Sequence, residues 1–423
     1  MYCAAMLATP EIIREANPFA QLEELIPRWR EVPLYRESFV RADCPRTDFD
    51  CFQRLPLMAK PEMRNNFPLN FIPDGQTIEM LLAKNLIELE YTSGTSSERL
   101  PVIFARGWWN AQEERALRLN DFVAKILDEF PNARRATITS PACNGLTCPT
   151  VWMSREQRTF GNSLFVNLAR IPFLIGEADL LHMAAEISDW APQFLDVDPV
   201  HGARFALFCE QHGLKFPSLK FILCSYEFVS VVHRKILARV FGVPIFNLYG
   251  STETGHLLME NEQGEMKASH ETAFLELANQ DSTGIGDLVV TTLSNDFMPL
   301  LRYRIGDLAE KISLPYSTNF IVHGRIKDAL QAADGSRVTT WQIDRCFADA
   351  DGIAHYELRQ GENGNCELRY IADVNPPSQS TLNEVMARLE SLLQTQGNIS
   401  VSALPTLVPA ASGKFRLTCR ATA

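Results

Sequence analysis

The run Val243-Pro244-Ile245-Phe246-Asn247-Leu248-Tyr249-Gly250-Ser251-Thr252-Glu253 reads as an apolar strand, Val243 to Tyr249, that empties into a polar loop. Upstream, Leu219 to Cys224 is a second short apolar strand, and Val231 to Val240 between them has helical character. Strand, helix, strand at this spacing is a βαβ unit, which places the two strands parallel in one sheet. Ligands of such sheets bind beyond the carboxyl ends of the strands. Two polar loops lie at such ends, Ser225-Tyr226-Glu227 and Gly250-Ser251-Thr252-Glu253-Thr254-Gly255.

The alternation extends outward. Ala136 to Ser140 reads as a buried strand running into the loop Pro141-Ala142-Cys143-Asn144-Gly145, and Phe165 to Phe173 as another strand. His201 to Gly213 is helical. Toward the N-terminus, residues 9–40 and Arg106 to Phe130 carry helical periodicity, with Trp108 and Trp109 read as core. Toward the C-terminus, Leu288 to Leu293 is a β run after Gly284 and Gly286. Ile353 to Arg359 and Glu367 to Val374 are strands around a glycine-rich turn. An amphipathic helix follows, with Leu382, Val385, Met386, Leu389, Leu392 and Leu393 on one face and Thr381/Glu384 as its capping box. The fold class is α/β.

Composition bounds the function. A chain of 423 residues, 46% hydrophobic and 22% charged, builds a large core in two or three domains. A net charge of −11 disfavours nucleic acid and anionic membranes as main partners. The ten cysteines show no zinc-like spacing and read as reduced thiols. The opening Met-Tyr-Cys-Ala-Ala-Met-Leu is too short an apolar run for a signal peptide, and no stretch is long enough to span a bilayer. The expectation is a cytoplasmic protein with no membrane partner.

Tyr91-Thr92-Ser93-Gly94-Thr95-Ser96-Ser97 follows a segment of strand character and holds five hydroxyls of Ser and Thr around one glycine. Hydroxyls donate to phosphate oxygens, and Gly94 permits the tight turn that exposes backbone N–H groups. On composition alone the stretch reads first as a polar turn after a strand, and it is the motifs further along the chain that favour the phosphate cradle. It is not the Gly-rich P-loop, since no Gly-Lys-Ser/Thr follows.

Four features now stand in order: the loop at 91–97; Tyr249-Gly250-Ser251-Thr252-Glu253; Tyr303-Arg304-Ile305-Gly306-Asp307 followed by Gly324-Arg325; and Ser412-Gly413-Lys414. This order resembles the AMP-forming adenylating enzymes, which include acyl-CoA synthetases, peptide-synthetase adenylation domains and luciferases. Val32-Pro33-Leu34-Tyr35, Leu55-Pro56-Leu57 and Met298-Pro299-Leu300-Leu301-Arg302 point to the phenylacetate–CoA ligase and capsule-biosynthesis branch. The resemblance runs from about residue 25 to the C-terminus.

The resemblance implies a large N-terminal adenylate-forming domain of sheets flanked by helices, residues 1–324, and a small mobile α+β domain, residues 325–423, pivoting at Lys327. It implies ATP, Mg²⁺ and coenzyme A as cofactors, with a carrier-protein phosphopantetheine or an amine as the alternative acceptor. A homodimer is a further implied assembly. Ser93, Gly94, Thr95 and Ser96 would bind phosphates. Tyr226, Glu227, Tyr249, Gly250 and Ser251 would line the nucleotide, Tyr249 offering a face to adenine. Asp307 would accept the ribose hydroxyls, with Arg325 nearby. Thr252 would bond the α-phosphate, Glu253 would hold Mg²⁺, a hard cation that takes carboxylate oxygens, and Lys414 would bridge the α-phosphate and the attacking carboxylate. A nucleotide-binding protein without catalysis is the competing class.

The sequence departs from the family pattern after Thr95. Ser96-Ser97-Glu98-Arg99-Leu100-Pro101 replaces the usual Thr-Thr-Gly-x-Pro-Lys, so the second glycine and the lysine are absent. The acid pocket is assigned by loop position to Ser140, Pro141, Ala142, Asn144, Gly145 and Tyr226. These are neutral, mostly small residues, which favours a neutral aromatic or medium acyl acid over a dicarboxylate. His201, His256 and His270 are read as structural or exposed.

Overall fold

The computed structural model describes residues 18–43, 48–72, 74–92, 99–140, 153–166, 169–313, 318–395, 397–410 and 412–420. Its centre is the expected βαβ unit. Phe221–Cys224 pairs in parallel with Ile245–Ser251, and the helix Val231–Phe241 makes the crossover. All four residues of Phe221–Cys224 are buried. Their alternation explains why an unbroken apolar run is needed here. Ile222 and Cys224 pack toward a cluster with the helices Glu177–Trp190, Pro199–Gln211 and Val231–Phe241. Phe221 and Leu223 pack toward Trp108–Leu117 and Asp121–Glu129 on the other side.

Further parallel strands, Phe194–Val197, Arg135–Ile138 and Ser163–Phe165, continue the sheet on one side of the unit. On the other side the ladder turns antiparallel through Gly255–Glu260, Met266–Ala268, Thr318–Arg325, Tyr303–Ser313, Gly286–Thr292 and Ala273–Ala278. With the short antiparallel edge strand Thr159–Phe160 beside Ser163–Phe165, the described residues form one mixed sheet of twelve strands with helices packed against it, the α/β architecture expected. A separate four-stranded sheet, ordered Ile399–Ala403, Cys366–Ala372, Ile353–Gln360 and Thr418–Arg420, packs with Thr340–Arg345 and Gln379–Leu393 around its own core.

Several local readings are corrected. The apolar stretch Phe165 to Phe173 is not one strand: the ladder stops at Phe165, and Pro172 opens a short 3₁₀ turn, since proline cannot donate to a ladder. Residues 9–40 are not one helix: of the described part, Pro18–Glu31 and Pro33–Arg41 break at Val32, which is extended as a residue before proline prefers. Arg106 to Phe130 likewise divides at Asn120, whose side chain caps the second helix by accepting from the Val123 N–H. The helix Gln379–Leu393 is capped by Ser378, not by a Thr381/Glu384 box. Cys51 is disulfide-bonded, so the reduced-thiol reading fails there, while Cys209, Cys224, Cys346, Cys366 and Cys419 are free. No helix among the described residues is long and apolar enough to cross a membrane.

Candidate active site

A cavity of about 1090 Å³ opens beyond the carboxyl ends of Phe221–Cys224 and Ile245–Ser251, where it is also walled by the C-terminal unit. Two turns create its floor. After Cys224 the chain reverses through Tyr226, which takes a left-handed φ of 72°. The strain of a non-glycine residue there is offset by two side-chain anchors. The Tyr226 hydroxyl and the Ser225 hydroxyl each donate to the buried carboxylate of Asp196, 2.8 Å away in the tyrosine's case. After Ser251 the chain turns back into Gly255–Glu260. Gly250 is required by this turn, because a Cβ would sit 2.2 Å from the Gly255 carbonyl oxygen.

The backbone carbonyl of Tyr226 accepts from the Lys414 Nζ at 2.7 Å. Lys414 follows Gly413, whose φ of 86° closes a turn in which Ala410 N–H donates to the Lys414 carbonyl. Next along, the Phe415 N–H donates to Glu227 at 2.8 Å. Glu227 is pushed well above the usual carboxylate range, first by burial and then by the neighbouring Asp198 charge, against the pull of Lys414. Asp198 is held low despite burial by His201 and by the Val200 and His201 N–H groups it caps.

On the facing wall the Tyr249 hydroxyl donates to Asp307 at 2.6 Å, and the other Asp307 oxygen pairs with Arg325 at 3.1 Å. The sheet fixes this pair, since Asp307 and Arg325 are register partners on adjacent strands. Tyr226, Glu227, Tyr249, Gly250, Asp307, Arg325, Lys327 and Lys414 therefore meet at one cavity, although up to 188 residues separate their hydrogen-bonded members. Ser251, Thr252 and Glu253 follow directly behind Gly250. Lys327 is exposed, in the short 3₁₀ turn Ile326–Asp328 that leads into the C-terminal unit.

Glu253 is 3% exposed. Burial raises its pKa, but Lys60 at 3.5 Å, a backbone N–H and the Tyr303 hydroxyl at 2.9 Å outweigh this, and the net shift is downward. An ionised, buried carboxylate with a cation already beside it is a donor that fits Mg²⁺. Lys60 and Tyr303 were not assigned from sequence. Lys60 reaches Glu253 from the far N-terminal part of the chain, and no spacing signal links the two.

Ser93, Gly94, Thr95 and Ser96 lie outside the described residues, as do Pro141, Ala142, Asn144 and Gly145. The hairpin that flanks the first group, Ile87–Tyr91 with Pro101–Ala105, is formed. Ser140 is fully buried and does not line the cavity. Trp108 stacks on Phe104 with centroids 4.7 Å apart, as a core residue. His201 is buried on Asp198, and His256 pairs with Gln112 at 3.0 Å.

Besides Lys414 and Phe415, buried polar contacts hold the C-terminal unit against this wall. Asp344 caps the helix Val231–Phe241 from outside, accepting from the Val231 N–H at 2.9 Å and from the Ser230 hydroxyl, with Tyr356 donating to it as well. His233 and His355 meet at 3.1 Å in a fully buried contact. Within the C-terminal unit itself, Arg416 binds Asp328, beside Lys327, at 2.7 Å.

No family model matches the chain. It is 31% identical over 204 residues to Protein CapK of Staphylococcus aureus, a match covering 46% of this chain and 45% of that one. It is 23% identical over 380 residues to the phenylacetate-coenzyme A ligase of Pseudomonas putida, covering 82% and 79%. A match to the phenylacetate-coenzyme A ligase of Thermus thermophilus is 27% identical over 259 residues, covering 53% and 58%. The chain thus spans about half the length of two of these curated relatives. Its fold matches 2-hydroxyisobutyryl-CoA ligase in the postadenylation state with a TM-score of 0.67 at 14% identity, covering 93% of this chain and 88% of that one. The thioesterification state of that enzyme scores 0.57 at 15% identity, covering 99% and 95%. The anthranilate CoA ligase AuaEII in complex with anthranoyl-AMP scores 0.54 at 14% identity, covering 78% and 65%. The chain is thus similar in sequence to phenylacetate-coenzyme A ligases and to CapK, and it shares the fold of coenzyme A ligases solved with acyl- and aryl-adenylates.

Proposed function

We propose that the protein converts a carboxylic acid and ATP to acyl-AMP and pyrophosphate, then transfers the acyl group to the thiol of coenzyme A. The observation that carries this reading is Lys414 reaching the Tyr226 carbonyl inside the cavity that also holds Tyr249, Asp307 and Arg325. A nucleotide-binding protein without catalysis has no use for a cation delivered there by the C-terminal unit. The names of the relatives, coenzyme A ligases in two of three cases, support coenzyme A as the acceptor.

In this reading residues 1–324 hold ATP and the acid, and residues 325–423 form a lid that pivots at Lys327. Asp307 accepts the ribose hydroxyls, oriented by Tyr249 and Arg325. The Tyr249 ring borders the adenine. Thr252 donates to the α-phosphate. Lys414 leaves the Tyr226 carbonyl for the α-phosphate and the attacking carboxylate oxygen, offsetting charge where it develops. Glu253 would hold Mg²⁺, whose charge neutralises the phosphates. The carboxylate oxygen attacks the α-phosphorus, and the bond to the β-phosphate oxygen breaks as pyrophosphate departs. In the second half-reaction the thiolate attacks the acyl carbon and AMP leaves. The acid is a neutral aromatic or medium-chain one.

Pyrophosphate exchange into ATP with a panel of acids tests the reading. Exchange that depends on one neutral acid is the expected result. No exchange with any acid, alongside retained ATP binding, would return the chain to the non-catalytic class.

A further inference from the structure

Among the cations of the cavity wall, Arg234 pairs with Glu260, Lys414 with the Tyr226 carbonyl, and Lys327 and Arg345 lie near Asp328 and Asp344. Arg304, Arg325 and Arg416 each sit on a carboxylate, with contacts of 2.6 Å to Asp287, 3.1 Å to Asp307 and 2.7 Å to Asp328. These guanidiniums are already neutralised and offer little to an incoming anion. Lys60 and Arg64 differ. Both line the cavity from opposite ends of the short helix Lys60–Arg64, four residues apart and so on one face. Lys60 is 3.5 Å from Glu253, beyond a good hydrogen bond, and shares that carboxylate oxygen with the Tyr303 hydroxyl. Arg64 has a buried Nη2 with no hydrogen-bond partner. A buried donor left unpaired costs stability unless a ligand satisfies it.

The hydroxyl-rich stretch Ser93 to Ser97 carries no charge, and the adjacent Glu98 and Arg99 that follow it balance one another. A metal ion at Glu253 would neutralise part of the charge on a polyphosphate leaving group, and cationic donors beside Glu253 would take up more of it. We propose that Lys60 and Arg64 form the pyrophosphate subsite, binding the β- and γ-phosphates of ATP before the reaction and inorganic pyrophosphate after it. Lys60 acts as a point charge beside Glu253, and Arg64 uses its unpaired Nη2 as a directed donor. The subsite rests on the adenylation reading and refines where its leaving group goes.

The alternative is that Lys60 only balances the buried Glu253. Arg64 separates the two, because it makes no recorded contact with Glu253. Calorimetric binding of pyrophosphate and of AMP to the full chain, at fixed Mg²⁺, is the test. Arg64→Gln and Lys60→Gln should each weaken pyrophosphate binding by about tenfold or more, the expected loss of a charge-assisted contact, and leave AMP binding unchanged. Lys60→Arg should recover most of the pyrophosphate affinity, and this charge-retaining variant keeps the test decisive if Lys60→Gln folds poorly. Unchanged pyrophosphate affinity in Arg64→Gln and Lys60→Gln, with the parent binding both ligands, overturns the subsite and leaves the adenylation reading standing. A parent that binds neither AMP nor pyrophosphate overturns both.

Discussion

The Lys414 ammonium and the Tyr226 carbonyl oxygen are 2.7 Å apart, and this hydrogen bond joins the C-terminal unit to the loop that ends the strand Phe221–Cys224. The acceptor is exposed to Lys414 because Tyr226 adopts a left-handed backbone, and that backbone is held by the Tyr226 hydroxyl on Asp196. The side chain therefore serves as an anchor under the cavity floor. The sequence reading of Tyr226 as a pocket-lining residue did not anticipate this anchoring role.

Glu253 is the first test of the site's charge. Glu253→Gln keeps the shape and the Tyr303 contact but removes the charge that faces Lys60. Pyrophosphate release should be abolished at saturating Mg²⁺ while the circular dichroism spectrum and melting profile stay near the parent's. An unchanged rate would remove Glu253 from the metal role.

Asp307→Ala takes away two oxygens now held by Tyr249 and Arg325. In the proposed complex these oxygens accept from the ribose. Two charge-assisted bonds of very roughly 1.5–3 kcal/mol each are lost, so ATP affinity should fall by more than about tenfold. Equilibrium binding of ATP checks this, and a dissociation constant near the parent's would contradict it.

Asp344 gives a pH signature to the contact between the two units. Burial pushes its pKa up to about 6, against the lowering effect of Ser230, the Val231 N–H and Tyr356. The folded state then binds this proton more tightly than the unfolded chain, where the value is 3.8. Its contribution to stability is full below the unfolded value and is lost as pH rises through 6, a swing of about 3 kcal/mol at most. Asp344→Asn does not titrate, so the stability difference between variant and parent should move in the variant's favour between pH 4 and pH 7. Urea unfolding at several pH values measures it. A difference that is flat with pH would mean Asp344 keeps an ordinary pKa.

Legibility in the sequence followed the range of the interaction. The βαβ centre was readable because Phe221–Cys224 and Ile245–Ser251 are short apolar runs bounded by polar loops, a local property. The helix breaks at Val32 and Asn120 were missed because apolar periodicity continues across them, while the break is set by a proline and by a capping side chain. Tyr249, Asp307, Arg325 and Lys414, each singled out by a short local motif, line one cavity. Lys60 and Arg64 were invisible because only the tertiary fold carries their helix to Glu253. The Glu227–Asp198 pairing was equally hidden, since it depends on where the strand Phe194–Val197 ends beside Phe221–Cys224.

The measurement that bears most directly on the account is single-turnover thioester formation by Lys414→Ala, from acid plus ATP and from synthetic acyl-adenylate, each with coenzyme A. Adenylation builds negative charge at the α-phosphate, and losing an electrostatic contact there costs a factor of about 10² to 10³. In the proposed cycle thioester formation follows rotation of the lid, which would leave Lys414 idle in that step. The account predicts a loss of that size from acid plus ATP and a rate close to the parent's from acyl-adenylate. Equal losses in both reactions would contradict it, and Lys414 would then be a structural residue or a contact in both conformations.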